Sequence, residues 1–93
     1  MIHFSWSGYR VEWNELKNQR LKLVRGRSFE DILKMRLIGI KMHPTRHNQS
    51  IILVEDLDRI WMVPCVVTEG KVFLKTLYMS HKYSKLYRTG GLE

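Results

Sequence analysis

VFLKTLYMSHKYSKLYR, Val72–Arg88, decides how the rest of the chain is read. Its first half, Val72–Met79, crowds β-branched and aromatic residues together, the composition of a strand. Its second half, Ser80–Arg88, predicts a short helix with Ser80 as the N-cap. At helical spacing Tyr83, Leu86 and Tyr87 share one face, and His81, Lys85 and Arg88 share the opposite one, with Lys82 between them. From Lys71 to Leu92 no acidic residue occurs. A strand thus feeds a basic helix that carries one imidazole and two phenols. That set suits an anionic polymer better than a small apolar ligand.

Working back toward the N-terminus, the strand closes a predicted antiparallel meander. Ser50–Glu55 is its first strand, Asp56–Asp58 a turn, Arg59–Thr68 the second strand, Glu69–Gly70 a tight turn, and Lys71–Met79 the third strand. Pro64 falls inside the middle strand. Proline has no N–H for a ladder, so a bulge or a local end of the ladder is expected there. Before the meander, Ile40–Ser50 reads as a strand fragment and then a loop around Pro44.

Two helices are expected earlier. Asn14 caps the first, Glu15 sits where a carboxylate complements the helix dipole, and Gly26 supplies the stop. Leu16, Leu23 and Val24, with the stem of Arg20, would form its docking face. Ser28 and Asp31 open the second as a near capping box, with Phe29, Ile32, Leu33 and Leu37 at helical spacing and Gly39 as the end. Ahead of both, Ile2, Phe4, Trp6 and then Tyr9, Val11, Trp13 alternate around Gly8, which predicts two short strands joined near Ser7–Gly8.

The 93 residues, 44% of them hydrophobic, predict one domain with a modest core, spanning residues 1–93. Residues 1–10 read as an N-terminal extension, and Leu92–Glu93 is set aside as a cloning remnant. Formal net charge is +7, and Lys71, Lys75, Lys82, Lys85 and Arg88 all fall in the acid-free segment. Clustering of that kind fits nucleic acid or an acidic protein partner, and charge alone fits a merely solvated basic surface equally well. Cys65 is the single cysteine, so no internal disulfide can form and a reducing cytoplasm is expected. Its apolar neighbours predict a buried, inert thiol. No apolar run reaches the ~20 residues of a membrane span, and the N-terminus lacks a secretory pattern.

No phosphate-binding loop, dinucleotide glycine motif, zinc spacing or nucleophile elbow is present. His43 and His47 lie four apart around Pro44, which disfavours the helix that would aim both at one metal, so no metal and no cofactor are expected. The acids Glu55, Asp56 and Asp58 surround a turn and suit it for turn reasons. What remains is the basic constellation. Cleaving RNA without a metal needs a base for the 2′-hydroxyl proton, cations for the charge growing on phosphorus, and an acid for the leaving oxygen. His81 can serve as acid or base, since the unperturbed pKa of an imidazole is near neutrality. Lys75, Lys82, Lys85 and Arg88 can hold phosphate. Tyr83 and Tyr87 can stack on a base or relay a proton, although their helix face also reads as core.

Two blocks carry a resemblance. Val11–Ile32 places Trp13, Asn14, Lys17, Asn18, Gly26, Ser28, Phe29, Glu30 and Asp31 in the order of the N-terminal signature of BrnT-type toxins. Val72–Arg88 resembles that family's last strand and helix at Phe73, Leu74, Lys75, Thr76, Ser80, Lys82 and Tyr87. Lys75 stands where the family tends to have an arginine, His81 where a basic residue is usual, and Lys82 is retained. The acidic residue common in the family's last helix is absent. The resemblance implies a RelE/ParE-like fold and an endoribonuclease toxin neutralised by a DNA-binding antitoxin.

The fold expected is α+β: two N-terminal helices packed on a four-stranded antiparallel sheet, closed by a C-terminal helix. The function expected is the toxin of a type II toxin–antitoxin pair that cuts RNA without a metal. Lys75, His81 and Lys82 are its expected catalytic residues, and Lys71, Lys85, Arg88, Tyr83, Arg46 and His47 its RNA- and phosphate-binding ones. A homodimer or a toxin–antitoxin hetero-oligomer is expected, and no membrane association. The alternatives are a non-catalytic basic binding module for nucleic acid or an acidic partner, and a toxin acting on a protein such as gyrase.

Overall fold

The computed structural model describes the backbone of residues 2–6 and 8–91, and side chains from Gly8 onward. Its elements run β1 (Ile2–Trp6), β2 (Tyr9–Trp13), α1 (Glu15–Arg25), α2 (Phe29–Leu33), β3 (Arg36–Met42), β4 (Ser50–Asp56), β5 (Arg59–Thr68), β6 (Lys71–Leu74), β7 (Tyr78–Ser80) and α3 (His81–Arg88). Six strands lie side by side in the order β1-β2-β6-β5-β4-β3, and the short β7 pairs with β5 beyond the end of β6.

This corrects the expected architecture. The sheet is wider than four strands and mixed, because β2 runs parallel to β6, from Arg10 opposite Lys71 to Trp13 opposite Leu74. The alternation in residues 2–13 does mark two strands, paired from Ile2 opposite Trp13 to Trp6 opposite Tyr9. Alternation gives a strand but not its neighbour. The parallel pairing of β2 with β6 is set by the packing of Val11 and Trp13 into the same core as Val72 and Leu74. Ser7, in the expected turn, and Leu92–Glu93 lie outside the described residues.

The runs of β4 and β5 are apolar almost without a break, which predicts cover on both faces. One alternate set, Ile52, Val54, Trp61, Val63 and Cys65, joins Val11, Trp13, Val72 and Leu74 in a core capped by Leu21, Phe29 and Ile32 of α1 and α2. Ile51, Leu53, Ile60 and Met62 are also buried, at the intervening positions, and α3 lies on that second face. Helices therefore cover the sheet from both sides.

α1 forms as its caps predict. The Asn14 side chain accepts from the Lys17 N–H, and Gly26 ends the helix at a φ of 77°, where a Cβ would be strained. The expected docking face does not dock: Leu16, Leu23 and Val24 are exposed, and Asn18 and Leu21 face the core. Asn18 works as a buried connector. Its Nδ2 donates to Glu15 Oε1 (3.1 Å) and Glu30 Oε1 (2.6 Å), and its Oδ1 accepts the Phe29 N–H (2.7 Å). Three satisfied bonds outweigh the apolar stripe, because they fix α1 against the start of α2 without burying an unpaired polar group.

α2 has the predicted capping box, with Ser28 and Asp31 bonded reciprocally. It stops at Leu33, short of the predicted Gly39. Leu37 and Gly39 belong instead to β3, where pairing with β4 overrides the helical spacing. Trp13 and Phe29 are fully buried with ring centroids 5.6 Å apart.

The turn between β4 and β5 is tighter than predicted. Leu57 and Asp58 both have positive φ, and the Asp58 N–H is held by the Glu55 carboxylate at 3.0 Å. At Pro64 the ladder breaks as expected. Between the pairs Cys65–Leu74 and Met62–Tyr78, β5 has two residues and the facing segment three, Lys75–Leu77. The Lys75 N–H donates to the Pro64 carbonyl (2.9 Å), so the proline's missing donor faces this break. Arg25 of α1 donates to the Leu77 carbonyl (2.7 Å), satisfying an acceptor that the break exposes.

Candidate functional site

Ser84 sets the orientation of α3. It is the buried residue of the helix, and its hydroxyl accepts the Ile60 N–H at 2.8 Å. A small polar side chain there lets the helix lie close to β5 while pairing a buried donor. The consequence is a rotation relative to the expected faces. Tyr83 and Tyr87 are half-buried toward β3, and Leu86 is left at the surface. Ser80 caps the helix as predicted, accepting from the Tyr83 N–H.

Each phenol meets a cation from β3. Lys41 Nζ donates to Tyr83 Oη at 2.6 Å and lies 4.6 Å from the ring centroid. Arg36 Nη2 donates to Tyr87 Oη at 2.8 Å, with its guanidinium 5.7 Å from that ring. Arg36 also approaches Glu55, 3.5 Å away. Arg36 and Lys41 are five residues apart and would point to opposite faces of a regular strand. Leu37 pairs with Val54 and Gly39 with Leu53, so Ile38 is an extra residue. That bulge brings both cations to the face that carries α3. Tyr83 and Tyr87, one helical turn apart, receive them as two rungs.

The Lys41 bond lowers the Tyr83 phenol below its usual value; burial opposes it, and the charges of Lys41 and Lys82 add to the lowering. Lys82 is exposed, with its ammonium 5.6 Å from the same ring centroid. His81 and Lys85 are exposed on α3. Arg88 is exposed too, and its guanidinium donates to the Asp58 carbonyl at 3.4 Å.

The other sequence-predicted residues lie elsewhere. Lys75 is exposed in the break beside Pro64, and among the described residues no hydrogen bond or ion pair links it to His81 or Lys82. Lys71 sits on β6 with Glu12 4.0 Å away. Arg46 and His47 are exposed on the loop between β3 and β4. His43 organises that loop, its Nδ1 accepting the N–H groups of Thr45 and Arg46, each at 3.2 Å. The described residues contain no group of three or more His, Cys, Asp or Glu placed to share a metal ion. No helix among them is long and apolar enough to cross a membrane. Cys65 is fully buried, and desolvation pushes its thiol up to about 11.

Lys41 and Arg36 are the residues that sequence reasoning missed. A signal was present in Gly39, since glycine inside a strand often marks a bulge. It was hidden because Leu37 also continues the helical spacing of Phe29–Leu33 and Gly39 also reads as the stop of that helix.

Scans against family models and curated protein sequences give no match. Among solved structures, the fold is similar to that of the Brucella abortus ribonuclease toxin BrnT, at a TM-score of 0.51 and 17% identity. The match covers 75% of this chain and 94% of that one. The chain has a BrnT-like fold.

Proposed function

We propose that the protein is the toxin of a toxin–antitoxin pair and that it cleaves RNA without a metal ion. The observation that carries this reading is the exposed basic set of α3, the cations Lys82, Lys85 and Arg88 with the imidazole of His81, which includes no carboxylate. A surface of one sign raises the local concentration of a polyanion and holds its phosphates. The likeness to a ribonuclease toxin supports RNA as that polyanion and phosphodiester cleavage as the reaction. The partner that silences it is a DNA-binding antitoxin.

In this reading Lys75, His81 and Lys82 act on the reacting phosphate. Lys85, Arg88 and Tyr83 track the adjoining strand, with Lys71, Arg46 and His47 as outlying contacts. The test is incubation of the purified protein with RNA in a chelator. Cleavage is expected to persist; loss on chelation, restored by one added metal ion, overturns metal independence. Lys75→Ala and His81→Ala should reduce cleavage far more than RNA binding, because each would act on charge or protons that change in the transition state. Lys85→Ala should weaken binding and lower its salt slope by about one. An unaltered rate in a folded Lys75→Ala/His81→Ala double variant removes those two from the site.

A further inference from the structure

We propose that the solvent face of α1, formed by Leu16, Arg20, Leu23 and Val24, is a docking surface for an acidic amphipathic helix of another protein. The inference does not depend on the ribonuclease reading above.

The sequence makes this face and the fold leaves it uncovered. At about 100° per residue, Leu23, Leu16, Arg20 and Val24 follow one another around roughly a third of the helix circumference. The buried residues Asn18 and Leu21 lie on the opposite side. Leu16, Leu23 and Val24 are 78%, 87% and 71% exposed, so the stripe points away from the core rather than along its edge. Leu16 and Leu23 stand in line two turns apart, about 10 Å along the axis. That is the spacing at which one helix receives the apolar side chains of another. A shallow groove of about 530 Å³ runs beside the stripe, between α1 and the start of α2, and gives a partner's apolar side chain a place next to Leu23.

Charge chooses the occupant. Lys17 and Arg20 are exposed, and among the described residues neither has an ion pair. The acids nearby are engaged within the protein. Glu15 accepts from Trp13, Asn18 and Gln19, Glu30 accepts from Asn18, and Asp31 accepts from Lys22 and Ser28. A partner helix with Asp or Glu beside its own apolar residues therefore neutralises Lys17 and Arg20 while it buries the leucines. A second copy of this chain does not fit. A two-fold axis across the stripe sets Arg20, near its middle, against its own copy, in chains that each carry +7. Nucleic-acid phosphates would pair with the two cations but leave three apolar side chains in water. A lipid surface suits a helix whose cations rim the apolar stripe, and here Arg20 stands inside it. Because α1 covers one face of the sheet and α3 the other, a helix docked here leaves His81, Lys82, Lys85 and Arg88 open.

The probe is a synthetic helical peptide with leucines on one face and glutamates on its flanks, followed by fluorescence anisotropy. A second peptide carries lysine at every glutamate. Wild-type protein should bind the glutamate peptide at least about ten-fold more tightly, with the amide resonances of α1 shifting on binding. Arg20→Glu with Lys17→Glu should reverse the preference, which general stickiness of leucine would not do. Leu16→Ala with Leu23→Ala should abolish binding while the urea midpoint stays close to wild type, since both side chains are exposed and alanine is a strong helix former. Excess RNA should not displace the peptide. The proposal is overturned by no binding, by equal affinity for the two peptides, by shifts confined to α3, or by displacement with RNA. It is overturned too by self-association that Leu16→Ala/Leu23→Ala abolishes, which makes a second copy the occupant, or by anionic vesicles binding in place of the peptide. RNA cleavage measured on the same preparation tests the ribonuclease reading separately, since neither result decides the other.

Discussion

The residues that carry the N-terminal resemblance are structural in this fold. Asn14 and Gly26 cap α1, Ser28 and Asp31 cap α2, Asn18 ties the two helices together, and Trp13 packs on Phe29. Phe29→Ala should cost about 3 kcal/mol or more, since it opens a cavity beside a buried indole, and the urea midpoint would report it. Asp31 gives a pH-dependent check. Partial burial works against its ionisation, but the Lys22 ammonium and the Ser28 N–H and hydroxyl outweigh that and hold its carboxyl at about 2. A depressed folded value stabilises above the unfolded value of about 4 and loses that contribution as pH falls toward 2. The urea midpoint of wild-type protein should therefore drop between pH 5 and 2, and by less in Asp31→Asn. A drop of equal size in both would remove Asp31 from the account.

Among the elements, α3 depends on one polar contact. Ser84→Ala leaves the Ile60 N–H buried without its partner and should cost about 1–3 kcal/mol in urea unfolding. Ser84→Thr, which restores a hydroxyl but adds a methyl, tests whether the close approach matters as much as the bond. Strand β3 shows how far an element could be read in advance. Its β-branched residues were visible, but Leu37 and Gly39 also fitted a longer α2. The choice between the two depends on β4, whose residues pair with β3 from Ser50 to Glu55 and lie 8 or more positions further along the chain. Local spacing cannot weigh a partner it does not contain.

At the scale of the whole molecule, the basic charge and the two-faced sheet work together. Burial of both faces of β4 and β5 leaves α3 as a thin outer layer, and its cations stand on that layer's surface. The strand–helix order, both helix caps of α1, the capping box of α2 and the broken ladder at Pro64 were legible in the sequence, because each depends on residues close together in the chain. So was the acid-free basic segment, which composition alone displays.

The mixed sheet, the docking face of α1 and the pairing of Lys41 with Tyr83 were decided only in the tertiary structure. Leu16, Leu23 and Val24 looked like a core stripe, yet Asn18 won the interior because Glu15, Glu30 and the Phe29 N–H satisfy it there. Arg36 and Lys41 looked opposed, yet one unpaired residue, Ile38, turned them to the same side. The physical reason is common to these cases. A chain specifies its own periodicity, but which face is buried and which side chains meet depends on partners far along it, and a single extra residue in a ladder reverses the answer.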